Sequence, residues 1–136
     1  MAANKEAIFP LTPKIGFGNV TTANVAKDGT GTVVLIFTAG ANGARLDSIK
    51  AKAAGTNTAS VARFFINNGS DPTTATNNIL FAEISLPATT LSEVAALTEA
   101  VVMEMNIALP AGYRIYVTIG TTVATNWAFT AVGGDY

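Results

Sequence analysis

The feature that most constrains this chain is its punctuation. Turn-forming clusters recur along it: Asp28-Gly29, Asn42-Gly43, the run Asn67-Asn68-Gly69-Ser70-Asp71-Pro72, Pro87, Pro110-Ala111-Gly112 and Gly133-Gly134. Asn-Gly and Asp-Gly accept the positive φ of tight hairpin turns, and proline presets the φ of a turn's second position. The stretches between these clusters are mostly the length of strands, and too short for a bundle of helices.

The patterning inside the stretches agrees. Thr32–Ala39 (TVVLIFTA) is a continuous β-branched and aromatic run, which predicts a strand covered on both faces. Leu46–Ala54 alternates, with Ile49, Ala51 and Ala53 on one side and Lys50 and Lys52 on the other. Ser60–Asn67 (SVARFFIN) is the next strand. Asn78–Leu86 sets Leu80, Ala82, Ile84 and Leu86 against Ile79, Phe81 and Glu83. Tyr113–Ile119 sets Tyr113, Ile115, Val117 and Ile119 against Arg114, Tyr116 and Thr118. Asn126–Val132 closes the series at Gly133-Gly134, and a weaker strand over Gly16–Asn24 opens it.

Residues 88–98 admit two readings. Thr90 and Glu93 have capping-box spacing, and Leu91, Val94, Ala95 and Thr98 share a helical face. Beyond them, Val101, Met103, Met105, Ile107 and Leu109 keep a period of two, so the spacing predicts a strand over Glu99–Leu109 rather than a helix. The sum is about eight strands at roughly 8–15-residue spacing, an all-β antiparallel sandwich. A jelly roll fits best, and an immunoglobulin-like sandwich comes second. The expected organisation is an extended N-terminal arm over residues 1–14 followed by a single β-sandwich domain over residues 15–136. Pro10 and Pro13 hold the arm extended, and Ile8, Phe9 and Leu11 are its anchors, either on a partner or on the protein's own core.

Composition narrows function. The chain has 136 residues, of which 49% are hydrophobic and 12% charged, against a usual charged share of about 25%. That supports a core and leaves an exterior of Thr, Asn, Ser, Ala and Gly, a surface that costs little to desolvate when copies cover one another. There is no Cys and no His, which removes disulfides, thiolate and imidazole metal ligands, and the usual nucleophile–base pairs. The net charge of −1 draws the chain neither to nucleic acid nor to an anionic membrane. The opening residues lack the apolar stretch of a signal peptide, and no run reaches the length of a membrane helix, so the chain is expected to stay where it is made.

The chemistry-bearing motifs weigh mostly as architecture. Gly16-Phe17-Gly18 lacks the third glycine and following helix of a dinucleotide site. Asp28-Gly29-Thr30-Gly31 resembles an aspartic-protease loop, but without a second copy of itself it reads as a turn. Glu83, Glu99 and Glu104 fall on neighbouring strand candidates and could form a glycosidase-like pair, but acids at outward strand positions are more often solvated or ion-paired, here with Lys50, Arg63 or Arg114. Asn67, Asn68 and Asp71 offer oxygens, without the alternating acids of a calcium loop. Trp127, with Tyr113, Tyr116 and Phe129, is either core or a sugar-stacking platform, and size favours core. No catalytic, cofactor-binding or metal residue is expected, and no cofactor.

Several segments together resemble the small accessory head proteins of tailed bacteriophages, the decoration or cement proteins. They are Thr12-Pro13-Lys14 leading to Val20-Thr21-Thr22-Ala23-Asn24; Asp28-Gly29-Thr30-Gly31-Thr32; the stretch from Thr38 to Ile49; Leu109-Pro110-Ala111-Gly112-Tyr113; and the terminal Ala131-Val132-Gly133-Gly134-Asp135-Tyr136. The resemblance implies a non-enzymatic β-sandwich, often a jelly roll, that sits as a homotrimer on the outer capsid surface and bridges major capsid protein subunits. It implies a virion location after synthesis in the host cytoplasm, with neither nucleic acid nor membrane as partner. Ile8, Phe9, Pro10, Leu11, Pro13 and Lys14 are the expected capsid-contact arm. The alternative is a carbohydrate- or receptor-binding β-sandwich of a phage fibre or tail.

Overall fold

The computed structural model describes residues 8–97 and 100–136. Its strands are β1 (Thr12–Val20), β2 (Val34–Thr38), β3 (Ala44–Ala53), β4 (Ser60–Asn67), β5 (Asn78–Leu86), β6 (Ala100–Leu109), β7 (Arg114–Ile119) and β8 (Trp127–Asp135), with one 3-10 turn at Ala75–Asn77. They form two four-stranded antiparallel sheets, ordered β1-β8-β3-β6 and β2-β7-β4-β5. That interleaving, in which successive strands alternate between sheets until the chain doubles back on itself, is the jelly roll.

The core is what the inner faces place between the sheets. Trp127, Phe129 and Ala131 of β8 lie over Phe64 and Ala62 of β4 and over Ile115, Val117 and Ile119 of β7, all fully buried. The Phe64 and Phe129 rings meet edge to face, with centroids 5.8 Å apart and planes at 77°. Each such ring contributes about 2–3 kcal/mol by leaving water. Leu46, Ile49, Ala51 and Ala53 of β3 complete the floor, with Lys50 facing solvent as the alternation requires. The small inward residues of β3 let the two sheets close on the large aromatic side chains.

Three expectations shift. The arm is shorter than residues 1–14, because Thr12, Pro13 and Lys14 pair with Asp135, Gly134 and Gly133 as the first residues of β1. Proline is admitted there because β1 is an edge strand. At the other end, β8 does not stop at Gly133-Gly134 but runs through both glycines to Asp135. A methyl group at Gly133 would come within 2.0 Å of the Arg45 carbonyl oxygen, so glycine here permits close backbone approach rather than a turn. The continuous apolar run Thr32–Ala39 yields an edge strand, β2, with Leu35 exposed. Burial on both faces falls instead to β7, which lies between β2 and β4 and has Tyr116 and Thr118 covered on its outer face. Of the two readings of residues 88–98, the helix is the one that falls: Ser92 Oγ accepts hydrogen bonds from the amides of Val94 and Ala95 in a non-helical stretch, and β6 follows as the alternation predicts.

Candidate interaction surface

Ile8, Phe9, Pro10 and Leu11 precede β1. Ile8, Phe9 and Leu11 are 64%, 73% and 84% exposed, so they do not strap the protein's own core. Two contacts fix where the segment leaves the body. The Leu11 amide donates to the Asp135 carbonyl at 2.8 Å, and Pro10 lies beside Gly134. Residues 1–7 of the expected arm lie outside the described residues.

Pro13 and Lys14 belong to the strand. The Lys14 ammonium turns inward, donating to the Asp135 carboxylate at 2.8 Å and to the Thr38 carbonyl at 2.6 Å, and sits 5.6 Å from the centre of the Phe37 ring. The hydrogen bond from Lys14, reinforced by the Gly40 amide, holds the Asp135 carboxyl below its ordinary value. Lys14 is therefore a tie between strands, not a free contact for a partner.

Sequence reasoning passed over the two exposed large apolar side chains of β1. Ile15 and Phe17 point away from the core at 65% and 78% exposure, while Gly16 and Gly18 face inward. This inverts the usual polarity of a sandwich strand. The reason is the convergence of the sheets at this corner: a methyl group at Gly16 would come within 1.8 Å of the Ile36 carbonyl oxygen, so the inner face of β1 has no room for a side chain. The signal was present in the sequence as Ile15-Gly16-Phe17-Gly18, large apolar residues alternating with glycine. On the same outer face Ile15 neighbours Val132, and around the corner Leu35 joins Ile15 and Phe17 along an open groove.

The other candidates resolve into scaffolding. Asp28 Oδ1 accepts from the Thr30 hydroxyl at 2.6 Å and amide at 3.0 Å, which lowers its pKa, and Gly29 and Gly31 have φ of 75° and 81°; the loop is a turn. Asn67 is fully buried, its amide donating to Asn78 Oδ1 and its oxygen accepting from the Gly69 amide. Asn68 and Asp71 likewise accept from Ser70 and Thr73, so these oxygens build the loop instead of lining a cation cage. Glu83 is bonded to Arg63 at 2.7 Å on one sheet, while Glu104 lies on the other, so they are not a catalytic pair; Glu99 lies outside the described residues. Lys52 donates to the Leu97 carbonyl. Trp127 and Phe129 are wholly interior and offer no platform to a sugar. Among the described residues no group of three or more His, Cys, Asp or Glu side chains could hold a metal ion, and no helix is long and apolar enough to cross a membrane.

No protein-family model matches the chain, and no curated protein does. Among solved structures it is similar to a chain described as "Structure of infectious bursal disease virus Gt strain", at 8% identity and a TM-score of 0.30, over 98% of this chain and 35% of that one. This chain thus spans about a third of the length of the solved chain it matches.

Proposed function

We propose that this chain is a structural virion protein: a capsid decoration or cement protein that binds the outer surface of a tailed-phage head as a homotrimer and stabilises contacts between major capsid subunits. The observation that carries the reading is the arm, whose Ile8, Phe9 and Leu11 stand uncovered beside a rigid jelly roll. Large apolar side chains held at a fixed exit point suit insertion into a partner's surface. The jelly roll itself is a fold on which many viral capsid and lectin domains are built, and the sparsely charged exterior suits permanent coverage.

In this reading the work is mechanical. Packed DNA pushes capsomers apart, and a protein bonded to several of them at once opposes the separation. Three arms on one trimer make each rebinding intramolecular, so modest single contacts sum to firm retention. No catalytic step and no cofactor are involved. Ile8, Phe9, Pro10 and Leu11 contact the shell, and the chain reaches the virion from the host cytoplasm.

The test is addition of purified protein to expanded heads lacking their accessory protein. Full-length chain should co-sediment with the heads and raise the temperature at which they rupture. A chain lacking residues 2–11, which keeps β1 whole, should stay in the supernatant with its Trp127 emission unchanged. Equal occupancy by the truncated chain would remove the arm from the mechanism, and no binding by the full-length chain would end the capsid reading.

A further inference from the structure

A sandwich has four sheet edges, and exposed edges invite pairing unless they are guarded. Three of the four carry guards. β2 is five residues long and its register shifts between Leu35 and Phe37. β5 shifts register opposite Phe64 and Phe65 and bears Glu83. β6 is bulged at Asn106, a non-glycine residue with φ of 49°, and bears Glu104. β1 differs. Its nine residues pair with β8 in unbroken register from Thr12 to Val20, its single charge, Lys14, is turned inward onto Asp135, and its one guard, Pro13, lies at its start and leaves Ile15–Val20 without charge, bulge or proline.

The outer face of β1, with the edge of β2 around the corner from it, is the apolar one. Pro13, Ile15 and Phe17 of β1, Val132 of β8 and Leu35 of β2 are all exposed. With Phe17 78% and Ile15 65% exposed, and Leu35 and Val132 about two-fifths exposed, they form a cluster on the scale of the roughly 300–600 Å² that a monomer's largest apolar patch presents. A standard interface buries ~800 Å² per partner, and contacts between identical subunits are ~65% apolar, so such a contact calls for roughly 500 Å² of apolar area. The rest of the face is a polar rim. In register, Ile15 is followed across the sheet by Val132, Ser48 and Glu104, and Phe17 by Thr130, Lys50 and Val102. An apolar centre without charge, bordered by residues of both signs, meets its own copy without like-charge conflict.

We propose that copies of this chain join through the outer face of β1, with Ile15 and Phe17 at the centre of the contact and Pro13, Val132 and Leu35 around them. This rests on the self-assembly part of the proposed function and not on what the assembly binds. The arm, leaving the body just before β1, then projects from the margin of the subunit contact.

Light scattering on the eluting full-length protein at about 50 μM tests it. The wild type should elute as an oligomer, and Phe17→Lys and Ile15→Lys should each elute as monomers with unchanged Trp127 emission, since neither side chain is packed in the core. Val94→Lys, at a still more exposed position outside the face, should leave the oligomer intact. Because the chain has no cysteine, Phe17→Cys gives a second readout: mild oxidation should link subunits far faster than it links Val94→Cys. An oligomer that survives both lysine variants overturns the assignment to β1 while sparing self-assembly. A monomeric wild type overturns both. Head binding is scored separately, so an oligomer that ignores heads leaves this inference standing and removes the capsid reading.

Discussion

Lys14 Nζ lies 2.8 Å from Asp135 Oδ2, joining the first residues of β1 to the last residue of β8 across 121 positions of sequence. The same carboxylate accepts the Gly40 amide at 3.0 Å, and the same ammonium reaches the carbonyl of Thr38, the last residue of β2. One ion pair thus gathers both termini of the domain and the β2–β3 turn.

Its pH dependence follows from the Asp135 carboxyl, held below its ordinary 3.8 chiefly by the hydrogen bond from Lys14. A depressed folded-state pKa means the contribution is complete above the unfolded value and is lost as pH falls through the folded one. Asp135→Asn should therefore lower the urea midpoint at pH 7, by the equivalent of about 0.5–1 kcal/mol for a partly exposed pair. The gap between variant and wild type should close as pH is taken below about 4. A gap that persists at pH 2 would show that the carboxylate's charge is not what holds the strands.

Glycine substitutions separate steric crowding from backbone strain. Gly16→Ala would place a methyl group 1.8 Å from the Ile36 carbonyl oxygen, and neither backbone can yield without parting the sheets. The expected cost is about 3 kcal/mol or more. Gly112 has φ of 75° but open space around its would-be Cβ, so Gly112→Ala should cost only the left-handed penalty of about 1–2 kcal/mol. Thermal unfolding of the two variants side by side gives the ordering, and equal losses would refute the close-approach account of β1.

Most of the fold was legible because strand alternation and turn residues are local signals. Ser60–Asn67 and Asn78–Leu86 were bounded to the residue, since Asn-Gly and proline fix where pairing ends. What eluded the sequence was decided at a distance. Whether Thr32–Ala39 or Tyr113–Ile119 lies mid-sheet depends on strand order, which no local pattern encodes. Thr12–Lys14 looked like arm because proline argues against a strand, yet Asp135 supplies Lys14 with a partner from the far end of the chain. Gly133-Gly134 looked like a turn because its crowding against Arg45 exists only once β3 and β8 pair. The candidate surface was half legible: Ile8, Phe9 and Leu11 drew notice beside two prolines, while Ile15 and Phe17 were hidden by the expectation that large apolar residues face inward.

A buried polar knot holds the loop end opposite the Lys14 pair. Asn57 exchanges backbone hydrogen bonds with Thr89, its Oδ1 accepts the Thr125 amide at 2.8 Å and its Nδ2 donates to the Asn126 carbonyl at 3.1 Å. Thr89 Oγ1 donates to the Gly55 carbonyl at 2.6 Å. Asn57→Ala would strip the Thr125 amide of its acceptor and the Asn126 carbonyl of one of its two donors, the Ala54 amide remaining, at about 1 kcal/mol for each hydrogen bond lost. The expected net loss is about 1–2 kcal/mol by urea unfolding, with faster amide exchange at Thr125. Exchange at Thr125 that matches the wild type would place the loop's restraint elsewhere.

The arm makes the sharpest functional prediction because Phe9 and Leu11 stand clear of the fold. Phe9 and Leu11 are largely exposed, so Phe9→Ser with Leu11→Ser should leave the unfolding midpoint within about 0.5 kcal/mol of wild type. On a capsid surface each side chain would bury enough apolar area for about 1.5–3 kcal/mol. Losing both should weaken a single site by at least ~100-fold, since 1.4 kcal/mol is a factor of ten. In a trimer the three losses compound, because retention depends on the other arms staying bound while one lets go. Occupancy of heads should therefore collapse, rather than decline in proportion to a single-site affinity. Mixed trimers carrying one or two altered arms, titrated onto heads, would reveal the steepness. A fall in proportion to the number of altered arms would mean that the arms do not act together and that retention comes from another part of the molecule.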